Sequence, residues 1–219
     1  MTDDVSNVLS QQTNWKDLFF YQKSEVLYQM TFVFCDRFVP LKGDRTRDQM
    51  IQAARSGKQN IVEGLADGVT SSEMMMKLLN VARSSLQELL EDFEDYPKAR
   101  GLAIWDKSHP RYPGMLEFCR RHNRLAEYQP YFQKWSAEEF CNIAITLCHM
   151  VDKMMTSYLQ MLEQQFITQG GIKERMHRAR TQYRKAQDEE LARLRKEVPL
   201  LKSEIQRLKD ILKEHGIDF

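Results

Sequence analysis

The sequence predicts an all-α protein: an up-and-down four-helix bundle followed by a long C-terminal helix with a coiled-coil pattern. Three observations predict it. Only nine Gly and six Pro interrupt 219 residues rich in Leu, Met, Glu, Lys, Arg and Gln, which are strong helix formers. Apolar residues recur at spacings of three and four in four long stretches between 15 and 169, the period of a helix with one buried face. Beyond residue 170 the spacing becomes a regular heptad. A flexible N-terminus over 1–14, a bundle over 15–169 and a basic helix with coiled coil over 170–219 follow as the expected domains.

The first helix is expected over 15–38, "WKDLFFYQKSEVLYQMTFVFCDRF". It carries apolar residues around most of its circumference, which buries it on more than one side, in a large core or between subunits. Pro40 and Gly43 then break the chain, since both oppose helix continuation. The second helix, over 44–67, has Met50, Ala54, Gly57, Ile61, Leu65 and Gly68 on one stripe. Each Gly weakens a helix interior by about 1 kcal/mol relative to Ala. The expected compensation is packing: Gly57, Gly64 and Gly68, with Ala53 and Ala54, form a smooth side against which another helix backbone can come close. Asn60, at the edge of that side, is expected to bond across the helix junction, and Glu63, further round, to pair with a cation.

A capping box at Thr70 and Glu73 opens the third helix, hydroxyl and carboxylate satisfying first-turn N–H groups reciprocally. Its stripe is Met75, Leu79, Ala82, Leu86, Leu89, Phe93 and Tyr96, with Pro97 and Gly101 as its end. The acids Glu91, Asp92, Glu94 and Asp95 fall opposite that stripe, as a solvated face. Residues 101–135 predict turns and one short helix. A second capping box, Ser136 and Glu139, starts the fourth long helix, with Phe140, Ala144, Leu147, Val151, Met154, Tyr158 and Leu162 on its buried side and Gly170-Gly171 at its end.

The last fifty residues are of another kind. Leu191, Val198, Ile205 and Leu212 occupy a positions, and Leu194, Leu201 and Leu208 occupy d. Branched residues at a with Leu at d favour two parallel strands. Glu190, Glu197 and Glu204 at g would face Arg195, Lys202 and Lys209 at the following e of a parallel partner, whereas an antiparallel pair sets glutamate against glutamate. Pro199 at b predicts a kink or break near Val198.

Charge narrows the function. The chain totals +1, but residues 170–219 carry +4, which leaves −3 elsewhere. Lys173, Arg175, Arg178, Arg180, Arg184 and Lys185 lie directly before the heptads, the order of a bZIP protein. The segment lacks the asparagine that reads a base edge, so backbone contact rather than sequence reading is expected. Arg120, Arg121 and Arg124 are the second choice for phosphate contact. No nucleotide-binding glycine loop, nucleophile elbow or zinc-protease motif is present, so no catalytic residue, cofactor or metal is expected. Cys35, Cys119, Cys141 and Cys148 lack CxxC spacing and read as small core residues. No stretch reaches the roughly 18 uninterrupted apolar residues of a membrane span, and no signal pattern opens the chain, so a cytoplasmic protein is expected.

The segments "MIQAARSGKQNIVEG" and "SSEMMMKLLNVARSSLQELLED" resemble the signature of the bacterial four-helix-bundle proteins encoded in intervening sequences of large-subunit ribosomal RNA genes, a group related to the accessory variability determinant of diversity-generating retroelements. The matching positions are Asn60, Ile61, Glu63, Gly64, Ala82, Ser85, Leu86, Glu88 and Leu89, and Gly57, Asn60, Glu63, Gly64, Ser85 and Glu88 form the helix-packing motif. "GGIKERMHRAR" is similar to the longer branch with a four-helix-bundle suffix domain. The resemblance implies a homopentameric barrel of bundles without a catalytic site, and in the retroelement members binding to a reverse transcriptase and to nucleic acid. A dimer-type coil on a five-fold body leaves three arrangements open: five associated coil segments, pairs between barrels, or a coil that binds another protein. The expected function is a non-enzymatic homo-oligomeric accessory protein that binds RNA or DNA backbone and a protein partner. The alternative is a structural adaptor that oligomerises through the bundle and recruits a partner through the coil without nucleic acid.

Overall fold

The computed structural model describes residues 14–39, 45–67 and 71–216. The expected flexible N-terminus, up to residue 13, lies outside the described residues, as do Gly68 and Thr70. Every regular element among the described residues is helical: α1 (Phe19–Phe38), α2 (Thr46–Asp67), α3 (Ser72–Arg100), α4 (Tyr112–Arg121), the single turn α5 (Leu125–Tyr128), α6 (Ala137–Gln169) and α7 (Ile172–Glu214), with 3-10 turns at Trp15–Asp17 and Gln129–Tyr131. They form two compact units, one through Ile172 and one from Lys173 onward.

Within the first unit, α1 packs on α2 and α6, α2 on α3, and α3 on α6, so the four long helices form a closed ring, with α4 against α6 and α5 against α1. The centre is apolar. Phe34 of α1 joins three helices: its ring lies 5.1 Å from Phe93 and 4.8 Å from Tyr96, both on α3, and 5.9 Å from Phe140 on α6. Such edge and tilted contacts stabilise aromatic pairs beyond the area they bury. At its N-terminal end α1 is buried all round, with five consecutive residues, Phe20 to Ser24, inside.

Several ends differ from expectation. Helix does not begin at Trp15, because the Asn14 side chain caps a 3-10 turn and Leu18 is extended before α1 starts. The cap of α3 is Ser71, whose Oγ accepts the Met74 N–H at 3.1 Å; Glu73 then sits at the second helical position, one residue too early to complete a box. Pro97 does not end α3, which continues to Arg100. The proline sits in the last turn, where its missing N–H interrupts one bond, and Gly101 at φ 64° then terminates the helix by taking a left-handed conformation open to glycine. At the other box the expectation holds: Ser136 Oγ accepts from the Glu139 N–H (3.3 Å) and Glu139 Oε2 from the Ser136 N–H (2.8 Å).

Pro199 does not break α7, which is helical from Ile172 to Glu214. One proline removes one backbone bond. Around it lie strong helix formers and short-range pairs such as Arg193 with Glu190 (3.5 Å) and Glu197 (3.8 Å), each adding a few tenths of a kcal/mol.

α2 and α3 approach each other closely at two glycines. A β-carbon at Gly57 would lie 2.7 Å from both Cγ and Cδ2 of Leu86, and one at Gly64 would lie 3.2 Å from Leu78 Cβ and 3.3 Å from the Met75 carbonyl oxygen. Gly114 of α4, by contrast, faces open space. Gly57→Val is therefore expected to lower stability by about 1–3 kcal/mol through overpacking, and Gly114→Ala to raise it by about 0.5–1 kcal/mol through helix propensity. Urea denaturation midpoints of the two variants check both signs.

Candidate nucleic-acid interface

α7 carries the first set of candidate phosphate contacts. Lys173, Arg178, Arg180, Arg184 and Lys185 are exposed, while Arg175 is half-buried and already engaged. At about 100° per residue, Lys173, Arg180 and Arg184 fall within about 40° of one another, and Arg178 and Lys185 form a second row about 130° away. The cations thus make two rows rather than one ribbon. Lys185 also meets Glu189 at 3.9 Å, an exposed pair of little strength. Met176 and Tyr183 stand exposed among them.

The second set does not converge. Arg120 and Arg121 are successive residues of α4, about 100° apart, and Arg121 pairs with Glu117. Arg124 lies between α4 and α5, its backbone N–H donating to Glu127 Oε2 at 2.7 Å. Arg120 alone of the three lines a groove of about 1010 Å³ whose walls come from α1, α3, α4, α6 and the segment 104–108. Lys23, Lys107 and Lys153 line it as well, with Glu94 and Asp106 as its acids and Leu116, Ile145, Met150 and Met154 as apolar floor.

Sequence reasoning passed over the polar side chains that shape this region. Lys23 is 3% exposed, and its Nζ donates to the carbonyls of Cys119 and His122 (2.7 Å for the latter) at the end of α4. A cation there satisfies orphan carbonyls and opposes the negative end of the helix dipole. Burial pushes its pKa down, and Glu127 nearby acts against that shift. Asn142, 1% exposed, accepts the Trp105 N–H at 2.6 Å and donates to the Ala103 carbonyl at 2.8 Å, while Glu138 Oε1 accepts the Trp105 indole N–H at 2.7 Å. The visible signal was a polar residue inside each apolar run, but the partners lie between 33 and 99 residues away.

The motif on α2 and α3 lies at their crossing. Asn60 does not bond across it. Its Nδ2 donates to the Ser56 carbonyl (2.9 Å) and to Ser56 Oγ (3.2 Å) on its own helix, and Ser56 Oγ meets Ser85 Oγ across the junction at 3.0 Å. Ser56 was the missed residue, hidden because serine is common on any polar helix face. Glu63 is exposed and has no cation partner among the described residues. Glu88 is exposed and lines a cavity of about 590 Å³ with Gln49, Gln52, Ser56 and Ser85.

On α3 the acids are not all solvated. Asp92 is half-buried, and burial, reinforced by Asp95, Glu88 and Glu91, pushes its pKa up to about 6. Burial also raises all four thiols, with Cys35, Cys119 and Cys141 pushed up to about 12. Such thiols are poor nucleophiles. Among the described residues no cluster of His, Cys, Asp and Glu is placed to hold a metal ion, and no helix is long and apolar enough to cross a membrane. Comparison with known proteins identifies no relative: no family model, no curated protein and no solved structure matches this chain.

Because the Asp92 carboxyl titrates higher in the fold than in the unfolded chain, its ionised form weakens the protein above about pH 6, and that penalty fades as pH falls towards 4. Asp92→Asn is expected to be more stable than the parent at pH 8 and equal to it near pH 4. Solvent screening of the half-exposed group holds the gain to about 1 kcal/mol or less. Urea midpoints at the two pH values check it.

Proposed function

We propose that this chain is a non-enzymatic, self-assembling accessory protein that holds the phosphate backbone of RNA or DNA with the N-terminal half of α7 and joins it to a protein partner. The observation that carries this reading is the order of features along one helix: exposed cations at 173–185 run directly into an exposed heptad row at 191–212. The row asks for a partner helix, since Leu191, Leu194, Val198, Leu201, Ile205 and Leu208 are each between 42% and 54% exposed, and Leu212 at its end is half-buried. Contiguous apolar surface of that kind marks an interaction site. Five exposed cations beside it supply the electrostatic attraction on which backbone binding depends.

The ring formed by α1, α2, α3 and α6 supports the finer architecture, an up-and-down four-helix bundle. Exposed Phe32, Met74 and Val81 on that unit support self-association, and the family resemblance supplies the expected pentamer and names a reverse transcriptase as partner. The adaptor reading, in which α7 recruits a protein without nucleic acid, is favoured by one observation: the apolar row needs covering whatever the cations do.

A labelled single-stranded RNA titrated at about 50 and 200 mM salt separates the two readings. Replacing Arg175, Arg178, Arg180, Arg184 and Lys185 together by Ala is expected to weaken binding and to flatten its salt dependence by about one unit of slope per lost phosphate contact. Unchanged isotherms would refute the assignment to these residues. An RNA whose mobility the parent protein does not alter at low salt would favour the adaptor.

A further inference from the structure

α7 is unbroken from Ile172 to Glu214, so its heptad register extends back through the basic segment without a reset. Counted from Leu191 and Leu194, Arg184 and His177 occupy a positions, and Gln187, Arg180 and Lys173 occupy d. The line that is aliphatic from Leu191 onward carries the cations Arg184, Arg180 and Lys173 before Gln187. The first half has its own apolar row, but Met176 and Tyr183 fall at g, and Ala179 and Ala186 at c, about 100° round the helix from the a/d line. Apolar and cationic stripes therefore exchange places near Gln187.

The partner that fits the a/d row is a second copy in parallel register. Glu190, Glu197 and Glu204 at g meet Arg195, Lys202 and Lys209 at e only in that arrangement. The g glutamates now pair within their own helix, with Arg193 and Arg207, at 3.5–3.9 Å. Exposed contacts of that length are weak and exchange readily. Two helices zipped from Leu212 back to Leu191 would next bring Gln187 against Gln187, then Arg184, Arg180 and Lys173 against their copies. Like charges at facing core positions repel, so pairing stops there and the two arms separate. A chain of phosphates lying between the arms would remove the repulsion from both sides along about 17 Å of helix.

We infer that coil pairing and polyanion binding are one coupled equilibrium: Lys173, Arg180 and Arg184 oppose pairing when nothing lies between them and become a two-armed clamp when a nucleic-acid backbone does. The inference rests on the function proposed above and adds to it which face takes the phosphates and what regulates assembly. Coupling of this kind is reciprocal, so RNA must promote pairing by the factor by which pairing promotes RNA binding.

The test uses the full chain with His215→Cys, a d-position thiol, and reads pairing as disulfide capture between copies; the native thiols, all buried, do not interfere. Arg180→Leu with Arg184→Leu is expected to extend the zipper, so that half-maximal capture occurs at a concentration about tenfold lower or less. A 20-nucleotide RNA should raise capture of the parent severalfold and leave that variant unmoved. Leu201→Glu with Leu208→Glu, which keeps every cation, should bind the RNA about tenfold more weakly or worse. The inference is overturned if the double leucine variant captures no better than the parent, if the double glutamate variant binds RNA as the parent does, or if no second copy is captured at any concentration, which would assign the row to another protein. A parent that binds no RNA removes the proposed function and the coupling together, whereas RNA binding combined with any of the other three results removes the coupling alone.

Discussion

The absence of a β-carbon at position 57 sets how the first unit can close. Leu86 occupies the volume that a side chain there would need, and α2 and α3 form the most extensive helix pairing in the chain. Their closeness lets α3 reach α6 on its other side and α6 reach α1, so the ring shuts around Phe34. A glycine that weakens its own helix by about 1 kcal/mol is retained because close-packed interiors tolerate neither voids nor extra methylenes. The Ser56–Ser85 hydrogen bond beside it adds a polar contact across that crossing.

Polar groups inside the first unit do a separate job. Lys23 holds the end of α4 by its carbonyls, and Asn142 holds the segment through Ala103 and Trp105 by its backbone. Neither segment forms a long amphipathic helix that could dock by area alone, so position comes from directed hydrogen bonds. Removing a partner from such a bond leaves a buried group unsatisfied. Lys23 and Asn142 both line the groove that Arg120 also lines, so the bonds that place these segments also shape its walls.

The second unit follows another rule. Almost nothing in α7 is buried beyond Ile172, so its helix is supported by propensity, by short-range ion pairs and by length, and it carries its apolar residues unshielded. The first unit buries its apolar side chains, whereas α7 displays its own.

The helical class was legible because period and propensity agree along the chain, and so were the Ser136 cap, the glycine-faced side of α2 and the long C-terminal helix, since each depends on residues no more than a few turns apart. Whether a proline ends a helix was not legible. Pro97 and Pro199 both sit inside helices, because one lost bond is outweighed by neighbours whose contribution appears only after folding. The candidate site residues divide along the same line. The cations of α7 could be named from their spacing, but the burial of Lys23, the hold of Asn142 on Trp105, the turn of Asn60 toward Ser56 and the raised pKa of Asp92 depend on which distant backbone, or which loss of solvent, meets each side chain. Local sequence dictates period and capping; burial and long-range hydrogen bonds come into being only when the helices pack.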